Sequence, residues 1–443
     1  MASSVPPATG PSGPPSRARS VALSFAVILA VITYIDRVAI SQAAPFITAD
    51  LGLTRVQMGW ALAIFGYAYA VFEIPGGWLA DRIGPRRVLM RIVLWWSFFT
   101  AATGWVFSAT SLIVVRGLFG AGEAGAFPGI TRMLTTWLPK NERERAQSRI
   151  WLATRFSGAF TPLLVVWLIS VLTWQRMFEV FGVIGAIWAF LFYRWFRDDP
   201  AKHPAVNKAE LALLPPASEV AVAHTGVPWG RIFSNPNVWL LSISYMCLAY
   251  GWWFYVNWLP TYLREQQGGI QFGGLQLGPF LTALLAGLPL LLGGFGCLVS
   301  AAVLPRVAKA VGSVRIARRI VAVTGFVGAS ACIYLFTGIS NPLYAMVVLG
   351  FAGFFNDVIM PAAWASTMDI GGRYAGTVSG AMNMMGSIAG AFSVTVVAYI
   401  LTWTNNDWTL TFMISSGIYL VGAVCWLFLD SHTPIEPVPA TRD

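Results

Sequence analysis

Residues 77–87 read GWLADRIGPRR, with Gly77, Asp81, Arg82, Gly84, Pro85, Arg86 and Arg87 packed into eleven positions. Residues 55–80 before this stretch and 88–108 after it are almost wholly apolar. A Gly/Pro-bounded basic loop between two runs of more than 20 apolar residues marks the turn between two membrane-crossing helices, since a bilayer core of about 30 Å takes about 20 residues of helix.

The same pattern recurs along the chain. Of its 443 residues 56% are hydrophobic and only 11% charged, and the mean hydropathy is +0.65, which excludes an ordinary soluble domain. Twelve spans are expected, at about 21–45, 55–80, 88–108, 111–136, 148–172, 177–197, 236–262, 278–304, 316–338, 341–367, 374–402 and 408–430. The expected fold is an all-α membrane protein of twelve transmembrane helices in two six-helix bundles, residues 21–197 and 236–430. Residues 198–235 form a polar linker between them. Residues 1–20, rich in Pro, Ser and Gly, read as a disordered tail without a signal-peptide core, and residues 431–443 as a second tail. Trp174 and Phe178 open span six as Trp408 and Phe412 open span twelve, an echo between halves that fits a repeat-built carrier.

The net charge of +10 orients the chain and needs no nucleic-acid partner. With the N-terminus inside, Arg55, Arg176 and Arg264 fall outside and Arg37, Arg116, Arg132 and Arg155 fall within spans, while the remaining 22 of the 29 Lys and Arg residues lie in cytoplasmic loops and tails. Both termini are then cytoplasmic. Cys247, Cys297, Cys332 and Cys425 sit in four different spans without CxxC spacing, and His203, His224 and His432 lie in loops or the tail. A disulfide framework, a metal site and a catalytic site are therefore not expected, and no phosphate loop or nucleophile elbow occurs.

Charges inside the spans carry the functional reading. An ionised group at mid-helix costs about 2.5–3.5 kcal/mol on insertion scales and normally faces a cavity. Asp36 and Arg37 are adjacent, about 100° apart on a helix, so one faces the pathway and the other a neighbouring helix. Tyr34 falls near the face of Arg37. Arg116 and Glu123 share a face of span four, about 10 Å apart along its axis, beside a smooth stripe of Gly117, Ala121, Gly125 and Gly129 expected to pack on another helix. Arginines facing a cavity suit an anion, and buried carboxylates suit proton carriage. A static buried ion network is the alternative for these four charges.

The loop GWLADRIGPRR matches the G-x-x-x-D-R-x-G-x-R-R loop of the major facilitator superfamily. Gly77 would allow close helix approach, Asp81 would pair with an arginine or cap a helix across the two halves, and Arg82 and Arg86 would hold the loop, with Gly84, at the lipid surface. The equivalent loop of the second half, Leu304 to Arg319, has Pro305 in place of the aspartate, so an asymmetric latch is expected. Within the superfamily, Tyr34-Ile-Asp36-Arg37, the run GYAYAVFEIPGGWLADRIGPRR, RGLFGAGEAGAFPG at 116–129, WQRMF at 174–178 and NMMGSIAGAF at 383–392 resemble the anion:cation symporter family, relatives of bacterial hexuronate, aldonate and aldarate permeases. The resemblance implies a monomeric carrier of a small organic anion in a bacterial inner membrane, with the proton as coupling ion and no other cofactor. It implies Asp36 and Glu123 as proton-coupling acids, and Arg37 and Arg116 as substrate or coupling cations. It places Tyr34, Tyr67, Asn383, Trp364 and Ser366 around the substrate. Glu73, Arg155 and Asp357 depart from the family pattern: Glu73 reads as a third acid, Arg155 as a residue snorkelling to the surface, and Asp357 as a further site or bundle contact. A carrier of another monocarboxylate, an uncoupled facilitator and a non-transporting receptor remain as alternatives.

Overall fold

The computed structural model describes residues 13–216, 227–267, 271–272, 275–276, 287–405 and 407–436. Among the described residues, thirteen long helical segments are consistent with the twelve rods expected from the hydropathy pattern. They are α1 (Ala18–Leu51), α2 (Arg55–Ile83), α3 (Pro85–Thr103), α4 (Ala109–Glu123), α5 (Ala126–Trp137), α6 (Arg143–Val171), α7 (Trp174–Trp195), α8 (Pro236–Gln267), α9 (Leu288–Val311), α10 (Val314–Phe336), α11 (Pro342–Gly371), α12 (Ala375–Trp403) and α13 (Trp408–Phe428). Two-residue strands, Gln271–Phe272 and Leu275–Gln276, pair beyond α8. Part of expected span eight, residues 278–286, lies outside the described residues.

By length and composition alone, seven segments of the described residues qualify as membrane-crossing, one of them a 51-residue stretch over α11 and α12. Charge explains why α3 falls short: Arg86, Arg87 and Arg91 crowd its start.

Local chemistry sets the helix ends. Thr54 and Ser108 form capping boxes with Gln57 and Ser111, and Thr173, Ser313, Asn341 and Asp407 cap α7, α10, α11 and α13. Gly52 and Gly312 adopt the left-handed conformation that ends α1 and α9. The matched aromatic pairs sit at equivalent places: Trp174 and Trp408 are the first residues of α7 and α13.

The expected disorder of residues 1–20 does not extend to its last residues. α1 begins at Ala18 because Glu210, buried in the linker, accepts hydrogen bonds from the backbone N–H groups of Ala18 (3.2 Å) and Arg19 (3.0 Å) and from the Ser16 hydroxyl. A carboxylate at a helix N-terminus satisfies orphan donors and the helix dipole together. The linker is thus docked on the first half at this point. His203 beside it is buried, with its ring edge-on to Trp137 and Nε2 3.0 Å from the Trp195 carbonyl, and burial lowers its pKa.

The fourth span is interrupted at Ala124 and Gly125 between α4 and α5, and the small-residue stripe does not face one neighbour. A side chain at Gly117 would meet Ile64 of α2, one at Gly125 would meet Gly76 of α2 and Ile92 of α3, and one at Gly129 would meet Leu89 of α3. The break lets the chain wedge between two helices.

The halves meet where α2 packs on α12 and α6 on α9. Many tryptophans are core residues and not helix-end anchors: Trp96, Trp137, Trp364 and Trp426 are each fully buried. All four cysteines are free.

Candidate functional site

A cavity of about 420 Å³ lies between the halves, walled by α1, α2, α5, α6, α8, α11 and α12. Along α2 its lining runs from Tyr69 back to Leu62, and along α12 from Asn383 on to Ala391. It therefore extends from the middle of the bundle toward the end remote from the chain termini, called here the far end. The end bearing the termini and basic loops is the basic end.

Arg37 is the cationic group on the α1 side. Its Nε donates to Glu123 Oε1 at the end of α4, and its guanidinium lies over the ring of Tyr69 at 4.5 Å and near Phe65 at 5.5 Å. Glu123 is fully buried behind it, and Arg37 Nη2 has no hydrogen-bond partner. Asp36 points the other way, away from the cavity lining. Its carboxylate is buried, facing the polar atoms of Trp96 and Thr100 of α3. Adjacency on one helix thus separates a cavity cation from a carboxylate held inside the first half. Arg116 does not reach the cavity either. It is buried with its guanidinium over Phe119 at 4.5 Å and Phe65 at 5.2 Å.

On the opposite wall Arg155 of α6 faces Asp357 of α11. Nε donates to Asp357 Oδ2 (2.5 Å) and Nη2 to Oδ1 (2.8 Å), a bidentate pair joining the two halves. The expected snorkelling of Arg155 is overturned: it is 2% exposed and stacks on Trp252 at 3.6 Å, because a partner carboxylate waits at its own depth. Asn356 donates to Asp357 Oδ1 (3.0 Å) and accepts from Tyr419 (2.7 Å), which fixes the carboxylate. Tyr34 stands between the two arginines, its hydroxyl 3.4 Å from Arg155 Nη1 and its ring centroid 5.8 Å from the Arg37 guanidinium carbon.

Asn383 of α12 lines the cavity and holds Glu73 of α2. Its Nδ2 donates to Glu73 Oε1 and lies 3.4 Å from the Tyr69 hydroxyl, while Tyr245 donates to its Oδ1 (3.3 Å) and Ser387 donates to Glu73 Oε2 (3.2 Å). Glu73 is fully buried at this junction of the halves. Tyr67 lines the cavity and is half exposed; Tyr69, two residues on and pointing differently, is the buried tyrosine that reaches Arg37. Trp364 and Ser366 are absent from the lining. Trp364 is fully buried behind it, against Phe127, Trp151 and Tyr245, and Ser366 spends its hydroxyl on the Ala362 carbonyl of its own helix (2.7 Å). Trp151, which stacks on Phe127 at 5.3 Å, Trp252 and Trp253 do line the cavity, and none of the three stands out in the sequence.

The basic end is shut by two clusters. In the first, Asp81 Oδ1 accepts from Gly376 N–H (3.0 Å), and Oδ2 accepts from Thr377 N–H and its hydroxyl (both 2.6 Å), so that the carboxylate caps α12 of the other half. Arg132 of α5 lies 3.5 Å from Asp81 Oδ1. Gly77 sits so close to α12 that an added Cβ would stand 2.1 Å from the Gly376 carbonyl oxygen. Arg86 is tied within its own half and not spread at a lipid surface: its guanidinium donates to the Tyr193 carbonyl and its N–H to Asp198 (2.8 Å). Asp198 also lies against Gly84 (φ +89°), and burial raises its pKa above the ordinary range. Arg82 stacks on Trp78.

The second cluster stands in the half that lacks the aspartate. Arg318 of α10, fully buried, donates to Glu144 Oε1 of α6 and to Asp369 Oδ2 of α11 (2.8 Å), and Arg143 of α6 donates to Asp369 Oδ1 (2.5 Å). Pro305 lies inside α9, and the first half supplies the acid through Glu144. These residues read in the sequence as topology charges.

The family model of the Major Facilitator Superfamily matches residues 26–394 of this chain. The chain belongs to that superfamily. It is a multi-pass integral membrane protein of the anion:cation symporter type. It is 35% identical to a probable sulfoacetate transporter of Cupriavidus necator over 95% of this chain and 96% of that one. It is also 28% identical to a D-galactonate transporter of Escherichia coli (94% and 96% covered) and to a probable galactarate/D-glucarate transporter of Bacillus subtilis (89% and 88%).

Proposed function

We propose that this protein imports a small organic anion of the sugar-acid class in symport with protons, by alternating access between its halves, as a monomer in a bacterial inner membrane with both termini cytoplasmic. It is a carrier and not an enzyme. The observation that carries this reading is Arg37: a cation in the cavity wall, held from behind by a buried carboxylate that is not itself in the cavity. An anion and Glu123 compete for one guanidinium in a low-dielectric site, where such competition is strong. Protonation of Glu123 releases Arg37 to the anion; release of the anion and loss of the proton restore the pair. Asp36, buried and near both Arg116 and Glu123, is the second proton-accepting group, and Arg116 balances the charge of the two acids.

Asn383, Tyr34 and Tyr67 supply polar contacts to the rest of the anion, and aromatic rings cover its C–H surfaces. Trp364 and Ser366 act on the site only through the wall they support. With the basic end cytoplasmic, the arrangement is outward-facing, and Gly77, Asp81, Arg82, Gly84 and Arg86 belong to the cytoplasmic gate. The names of the relatives support an organic anion as cargo, and the Arg37–Glu123 pair supports coupling.

The test is uptake into proteoliposomes of hexuronates, aldonates, aldarates and sulfoacetate, with neutral hexoses and aromatic acids as controls, under an inward proton gradient and without one. Accumulation of one acid that requires the gradient is expected. Uptake that equilibrates regardless of the gradient would make the protein a facilitator.

A further inference from the structure

Arg155 remains unused by the coupling scheme, although it lines the same cavity as Arg37. Each of these arginines spends one edge on a carboxylate set behind the wall, Glu123 or Asp357, neither of which lines the cavity. Each has a guanidinium nitrogen outside that pairing. Arg37 Nη2 is unpartnered, and Arg155 Nη1 has only the 3.4 Å contact to the Tyr34 hydroxyl. One tyrosine side chain separates the two guanidinium groups.

We propose that Arg155 is a second anion-binding residue and that the cargo is a compact dianion, with one acid group on Arg37 and the other on Arg155. A second carboxylate or a sulfonate fits the second position equally, since each offers oxygens to a planar pair of N–H donors. The rest of the molecule is short enough to span Tyr34 and lies against Trp151 and Trp252. A monoanion fills only the Arg37 end and leaves Arg155 to Asp357 alone. Because Asp357 belongs to the second half and Arg155 to the first, the second acid group also shares the one ion pair described that joins the halves at cavity depth, so occupancy of that end bears on how they move. This inference rests on the anion-carrier reading and narrows it.

The test is direct binding to the purified full-length protein, followed by tryptophan fluorescence, with matched probes: galactarate against galactonate, and succinate against its monomethyl ester. The dianion of each pair is expected to bind about ten- to a hundredfold more tightly, as one added charge-assisted contact implies. The double variant Arg155→Gln/Asp357→Asn removes both charges without orphaning either. In it the dianion preference is expected to fall to within about threefold, with monoanion affinity retained as the sign of an intact site. Equal binding of both members of each pair by the wild type, or a preference that survives in the double variant, overturns the dianion assignment and leaves the carrier reading standing. Silence with every anion, in a protein with an unchanged melting temperature, overturns the carrier reading and the assignment with it.

Discussion

Replacing Asp81 by asparagine should shift the protein away from the state with a closed basic end. Three donors from α12 converge on the carboxylate: Gly376 N–H on Oδ1, and Thr377 N–H and hydroxyl on Oδ2. An asparagine offers one acceptor and places an NH₂ group against the remaining donor. With its oxygen at the Thr377 side, the amide nitrogen faces the Gly376 N–H. The opposite orientation leaves the Thr377 N–H unsatisfied. Loss of the Arg132 contact lies within the first half and weighs on both states alike, so only the bonds to α12 count toward the difference. One hydrogen bond to a charged group contributes about 1.5–3 kcal/mol, which translates into a population shift of roughly 10- to 150-fold. Ser379, one turn into α12 and fully buried in the closed state, reports on the opening. With the four native cysteines replaced, alkylation of Ser379→Cys from the basic end should accelerate by that factor when Asp81→Asn is added. An unchanged alkylation rate, in protein that still binds its anion, would refute the reasoning that Asp81 holds the halves together.

Related predictions address the same frame. Gly77→Val should act in the same direction and more strongly, because its Cβ stands 2.1 Å from a backbone oxygen that no rotamer change relieves; the same alkylation assay reads it. Arg318→Ala leaves the Glu144 and Asp369 carboxylates buried together and should lower unfolding stability by about 3–5 kcal/mol, seen as a fall in melting temperature in detergent, with Arg318→Lys intermediate. Ser366→Ala should leave transport KM within about twofold, since its hydroxyl serves only its own helix; a large KM effect would return it to the cavity wall.

Much of the frame is visible in residue type and spacing. The loop at 77–87 and the alternation of apolar runs with basic turns carry the fold, because insertion into a bilayer is governed by segment hydropathy and flanking charge, both one-dimensional properties. The opposed directions of Asp36 and Arg37 are likewise a matter of helix periodicity. What spacing does not carry is which partner lies at the same depth on a distant helix. Arg155 reads as a surface-seeking residue until Asp357, 202 positions away, is found opposite it. Arg143, Glu144 and Arg318 look like orientation charges for the same reason, and become a latch only when α6, α10 and α11 converge. Trp364 and Ser366 fail differently: they lie about one and nearly two turns of α11 beyond Met360, which does line the cavity, and an absolute helix rotation is fixed by packing, not by motif. Tyr67 and Tyr69 show the limit at single-residue resolution, since both fall in the motif and only one meets Arg37.

The central claim is that Glu123 and the transported anion alternate on Arg37. Simultaneous recording of proton and anion uptake in proteoliposomes, for wild type and Glu123→Gln, tests it most directly. The account predicts that wild type takes up protons with each anion, and that the variant, whose Arg37 is no longer held by a carboxylate, still binds and exchanges anion but takes up fewer protons per anion and fails to accumulate it to the wild-type level. Proton-driven accumulation at the wild-type level in Glu123→Gln would contradict it.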